Sequence, residues 1–119
     1  MASYVSRYAR AFTEVVLARR LDADKAIASL ETMEQILASS HELRTLLQNP
    51  SVPGDQKLRL LDALTKRIGA PKEFRNFLAI LVDNQRLGGF TEIVTSTQSN
   101  FAVSAIGLLL WRSHRVFAA

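Results

Sequence analysis

Cysteine is absent from the 119 residues of this chain, which excludes a disulfide framework and thiolate metal sites while leaving the compartment open. Histidine occurs only as His41 and His114, and neither stands at a spacing that makes a metal site. Glu31 and Glu34 are one helical turn apart, but no Glu-x-x-His pair accompanies them, so they read as a solvated face and not as a di-metal bundle. No phosphate-cradling glycine loop is present, because Gly88-Gly89 ends a helical pattern where such a loop would open one after a strand. Ser39-Ser40-His41 reads as a helix cap in preference to a nucleophile beside its base. No catalytic set and no cofactor are expected. Alternating strand patterns, internal repeats and low-complexity linkers are missing too. Met1 to Ser6 has no apolar core followed by a small-residue cleavage site, so no signal peptide is read. The apolar run between Phe101 and Trp111 is about a dozen residues, against roughly twenty for a bilayer span.

What remains has the balance of an ordinary globule, 48% apolar and 22% charged, with the length of one domain. The net charge of +4 raises a nucleic-acid reading. Lys57, Arg59, Lys66, Arg67, Lys72 and Arg75 cluster in a fourth helix and the start of a fifth, a surface that a small basic domain can lay on phosphates. Yet Asp55, Asp62 and Glu73 interleave with them, and few aromatics are placed for stacking. Lys66 and Arg67 also sit at a helix end, where the dipole favours cations. The cluster therefore reads as a solvated face, and a basic nucleic-acid-binding module is kept as the alternative function.

Capping and breaking residues divide the chain into six helical stretches. Ser3 is placed to cap a helix from Tyr4 to about Arg20. Asp22 or Asp24 caps a second, in which Ile27, Leu30, Met33, Ile36 and Leu37 keep a period near 3.6. Ser39 with Glu42 forms a capping box ahead of a short third helix, Ser40 to Gln48, ended by Asn49-Pro50. After the Ser51-Val52-Pro53-Gly54 turn, a fourth helix with Asp55 near its start runs through Leu58, Leu61 and Leu64 to about Ile68, where Gly69 stops it. Pro71 opens a fifth, which Gly88-Gly89 terminates. A sixth begins near Phe90 with Ile93, Val94 and Phe101. The short connections predict an all-α, six-helix antiparallel bundle over residues 1–105.

Two of these helices carry more apolar surface than a single core-facing stripe needs, which is about 100°. In the first, Tyr4, Tyr8, Ala11, Val15 and Ala18 lie beside a second stripe of Val5, Phe12 and Val16. In the fifth, Phe74, Leu78, Leu81 and Val82 make one side, and Phe77, Ile80, Asn84 and Leu87 another. Two readings follow. Either neighbours surround both helices, or small Ala11 between Tyr8 and Val15, beside Phe77 and Ile80, makes a shallow groove for a partner's amphipathic helix.

At these residues the chain resembles the delta subunit of F-type ATP synthases, whose mitochondrial counterpart is the oligomycin-sensitivity-conferring protein. The resemblance runs from Tyr8 to about Val94. It is carried by Tyr8-Ala9-Arg10-Ala11, by Asn49-Pro50 with Lys57, and most strongly by Asn76-Phe77-Leu78 followed by Asn84, Arg86 and Leu87. It implies an amino-terminal six-helix bundle whose first and fifth helices bind the amino-terminal helix of an alpha subunit. Tyr8, Ala11 and Val15 would then line one wall, and Phe77, Ile80 and Asn84 the other. The implied role is non-catalytic: a peripheral-stalk subunit holds the catalytic head still while the rotor turns. The location implied is the cytoplasmic face of a bacterial inner membrane, reached only through the complex. Family members continue into a second domain that contacts the stalk's b subunits. This chain departs from that pattern after Phe101, so residues 106–119 are set apart as an atypical tail, the second domain is expected to be absent, and no residue is assigned to b-subunit contact. The tail is expected to complete and fray from the sixth helix, with a membrane-surface anchor at Trp111, Arg112 and Arg115 as the other reading.

Overall fold

The computed structural model describes residues 4–102. They form α1 (Tyr4–Ala18), α2 (Ala23–Ser39), α3 (His41–Gln48), α4 (Gly54–Arg67) and α5 (Lys72–Asp83), then a 3-10 turn (Leu87–Gly89), and α6, described over residues 90–102. No strand occurs among the described residues, and the all-α helical bundle expected from the periodicity is what they build. The boundary placed at residue 105, the tail 106–119 and the Ser3 cap lie outside the described residues.

Apolar residues at helical spacing converge on one core. Phe12 and Val16 come from α1, Leu30 and Met33 from α2, Leu47 from α3, Leu61 from α4, Phe74, Leu78 and Leu81 from α5, and Ile93 and Val94 from α6. Three buried threonines need no outside partner. The hydroxyls of Thr13, Thr65 and Thr97 donate to the carbonyls of Ala9, Leu61 and Ile93, four residues back, at 2.7–2.8 Å, which removes the penalty of burying a hydroxyl unpaired. Helix α6 lies along α1 and α2, where Asn100 Nδ2 donates to Thr13 Oγ1 at 3.4 Å and Gln98 Nε2 to Glu31 Oε1 at 3.0 Å.

Helix ends differ from expectation in instructive ways. Helix α1 stops at Ala18, two residues short of Arg20, and α5 stops at Asp83, well before Gly88-Gly89. Both close through a non-glycine residue in the left-handed region, Arg20 at φ 53° and Gln85 at φ 56°. Each end makes the paired bonds of a Schellman motif: Gln85 N–H donates to Val82 O at 3.1 Å and Arg86 N–H to Leu81 O at 2.8 Å, as Arg20 and Leu21 do to Leu17 and Val16. Helix α4 closes in the same way, but there the residue is Gly69 at φ 72°, so only that end announced itself. The glycine at 89 is there for close approach instead. A Cβ on Gly89 would stand 2.6 Å from Tyr4 Oη, so the 3-10 turn uses the missing side chain to seat the first tyrosine of α1.

The start of α3 is shifted by one residue. Asp22 caps α2 as expected, accepting from the amides of Asp24 and Lys25. The cap of α3, however, is Ser40, whose Oγ accepts from Leu43 N–H at 3.2 Å. Ser39 is the last residue of α2 and donates to Ile36 O, so it is not the cap of a capping box. The two serines make a clean pair of controls. Ser40→Ala is expected to lower stability by about 1 kcal/mol and Ser39→Ala by less than about 0.5 kcal/mol, as read from thermal melts. The reverse order would restore the capping box.

Candidate functional site: the α1–α5 seam

Helices α1 and α5 run antiparallel, joined by aromatic rings. Phe12 stacks on Phe77 with centroids 4.6 Å apart and meets Phe74 edge-on at 5.9 Å. Toward the other end of the seam, Tyr4 packs edge-on against Tyr8 at 6.1 Å. The Arg86 guanidinium, just past α5, sits 4.7 Å above the Tyr4 ring, a favourable cation–π position. Rings at both levels therefore fix how far apart the two helices stand.

The residues singled out from the sequence on these two helices differ in burial. On α1, Tyr8 is half-buried, while Ala11 and Val15 are exposed, Val15 to 38%. On α5, Ile80 is 50% exposed and Asn84 is also exposed. Phe77 is different: at 6% exposure it is the floor of the seam and not a wall. Each set recurs at i, i+3 and i+7, which keeps it on one helical face. The first of the two readings, in which neighbours cover both stripes, does not describe Val15 or Ile80 among the described residues.

A second hollow was not legible in the sequence. Between α5, α4 and the turn before α4 opens a cleft of about 660 Å³, lined by Val52, Leu58, Ala79 and Ile80 among others. Leu58 shares the helical spacing of Leu61 and Leu64, but it is 37% exposed and faces this cleft. The signal that separates it from Leu61 is weak, because a stripe's edge and its centre carry the same residue types.

The basic cluster is taken apart by packing. Arg75 pairs with Asp62 and Arg59 with Asp55, and Lys57 is 7% exposed. Only Lys66, Arg67 and Lys72 of the six remain exposed without an ion pair to the described residues, too few for a continuous phosphate-binding stripe. Among the described residues, no group of three metal-ligating side chains comes together, and no helix is long and apolar enough to cross a membrane.

Comparison with known proteins identifies the family. Residues 5–104 match the family profile described as ATP synthase delta (OSCP) subunit. The chain is 41% identical over 87 residues to the ATP synthase subunit delta of Koribacter versatilis, covering 73% of this chain and 49% of that protein. It is 31% identical over 94 residues to the subunit of the same name in Acidobacterium capsulatum, covering 79% and 52%. It is also 31% identical over 94 residues to the chloroplastic delta subunit of Arabidopsis thaliana, covering 78% and 39%. The chain thus spans about half the length of these two bacterial relatives.

Proposed function

The chain belongs to the ATP synthase delta (OSCP) subunit family, and from that premise we propose that it is a non-catalytic element of the peripheral stalk. It docks the amino-terminal helix of an alpha subunit along the α1–α5 seam and so helps hold the catalytic head against rotor torque during ATP synthesis. It works at the cytoplasmic face of a bacterial inner membrane, held there through the complex. What supports this reading is that α1 and α5 are joined through Phe12 and Phe77 while each keeps an exposed aliphatic residue, Val15 on α1 and Ile80 on α5. A stator joint must be long-lived and needs no chemistry. Apolar burial supplies that at roughly 25 cal/mol per Å² removed from water, and it persists at ionic strengths that dissolve charge-based contacts.

A calorimetric titration with a peptide copying the alpha subunit's amino-terminal helix tests the proposal. The expected result is one-to-one binding with a negative heat-capacity change, equal at low and moderate salt. Binding that collapses in moderate salt would instead favour the alternative, a basic surface acting on phosphates through Lys66 and Arg67.

A further inference from the structure

Lys57 is a cation with no ion-pair partner among the described residues. Its side chain is nine-tenths buried, at 7% exposure, among the apolar residues where α4 packs on α5. No carboxylate of the described residues forms an ion pair with it, since Asp55 and Asp62 go to Arg59 and Arg75. It also makes no side-chain hydrogen bond with any described residue. Yet among the described residues no buried side-chain nitrogen or oxygen is left both sealed and unpaired, and the surface that Lys57 lines is the 660 Å³ cleft bordered by Val52, Leu58, Ala79 and Ile80. Asp83 and Arg75 are the other charged residues of that cleft; Asp83 does not reach Lys57, and Arg75 is occupied by Asp62.

We propose that the α4–α5 cleft is a second docking site, which accepts an amphipathic peptide segment presenting one carboxylate from its apolar face to Lys57. The physical case is charge complementarity inside an apolar wall. A lysine stem buried along hydrophobic surface is ordinary snorkelling, but its head normally ends in bulk water or on a counter-ion. Here Lys57 lines a cleft in which aliphatic Val52, Leu58, Ala79 and Ile80 stand beside the amides Asn76 and Gln85, and the cleft's own acid, Asp83, makes no ion pair with it among the described residues. An incoming carboxylate would gain a charge-assisted hydrogen bond strengthened by the exclusion of water, while its neighbours cover Leu58 and Ile80. No α1 residue lines this cleft, so the site is separate from Val15, although Ile80 belongs to both proposals.

The test uses the whole chain, isotope-labelled for NMR, and two peptides. One is a roughly 16-residue amphipathic helix with a single glutamate set among its leucines, and the other carries glutamine at that position. The expected result is that the glutamate peptide binds at least tenfold more tightly and shifts the amides of Val52 and Ala79. Lys57→Met should remove that discrimination while leaving the melting temperature unchanged or raised, because the buried lysine stem is replaced by an apolar chain of similar length. Equal binding of the two peptides, no binding, or discrimination that survives Lys57→Met overturns the proposal. So does a melting temperature lowered by more than about 5 °C, which would assign Lys57 to the packing of the bundle. In a Val15→Asp background the alpha-helix titration should fail while this one persists, so the two proposals fail separately.

Discussion

Ile80→Asp is expected to weaken docking of the alpha-subunit helix at least ~100-fold while leaving the bundle folded. The two halves of that expectation have different causes. Ile80 is 50% exposed in the free chain, so its replacement removes little core contact. An aspartate in the last turn of α5 faces the negative end of the helix dipole, which costs only about 0.5 kcal/mol. Docking changes the balance, because a carboxylate held against an apolar partner helix loses its water and gains no donor. Leaving a charged group desolvated and unpaired costs several kcal/mol, and ~100-fold corresponds to about 2.7 kcal/mol. Ile80→Ala removes the same contact without stranding a charge and should weaken binding by roughly tenfold. Titration of each variant, with far-ultraviolet circular dichroism alongside, separates the outcomes. If Ile80→Asp melts the helices, Ile80 belongs to the core and the seam is wrongly drawn.

Phe12→Ala should have the largest effect on stability of any single change in α1. Phe12 is 1% exposed, and its ring is shared between Phe74 and Phe77. Truncating a buried phenylalanine typically costs 3–5 kcal/mol through lost transfer energy and the cavity left behind. For a domain of this size the total stability is about 5–15 kcal/mol, so a fall in melting temperature of roughly 20 °C is expected. The control is three residues away: Val15→Ala, at the partly exposed edge of the same helix, should change stability by less than about 1 kcal/mol. Thermal melts of the pair read the depth of the seam directly. Similar losses at both positions would mean that Val15 is packed and that α1 has no free face.

The sequence made the helices legible wherever a periodic stripe met a recognisable cap. Asp22, Asn49 and Gly69 mark real ends. Arg20 and Gln85 were illegible because nothing in an arginine or a glutamine announces a left-handed residue. There the pattern of bonds to Leu17, Val16, Val82 and Leu81 closes the helix, and tertiary packing overrides the local preference for glycine. The adjacent serines at 39 and 40 could not be ranked from composition, since either offers an oxygen and only the backbone path decides which faces α3.

The packing of the two helices was legible in part. A surplus of apolar surface pointed to α1 and α5, and the two do pack together through Phe12, Phe74 and Phe77. Periodicity did not separate Phe77, the floor, from Ile80, the exposed edge, because three residues on one helix share a stripe whichever is deeper. Lys57 was misread for a related reason. A count of charges places every lysine in water, whereas its burial depends on how α4 meets α5. The cleft beside it arises from that same packing, so no local pattern encodes it.

Because the chain has no cysteine, one engineered thiol reports on one position. Ala11 is exposed on the seam side of α1, and Arg10 is exposed a quarter-turn away. The most direct measurement is oxidative cross-linking of Ala11→Cys and of Arg10→Cys, separately, to an alpha-subunit helix peptide carrying one cysteine at the centre of its apolar face. Docking along α1 and α5 predicts rapid cross-linking at Ala11→Cys, suppressed by excess cysteine-free peptide, and little at Arg10→Cys. Cross-linking at Arg10→Cys that matches or exceeds that at Ala11→Cys would contradict it.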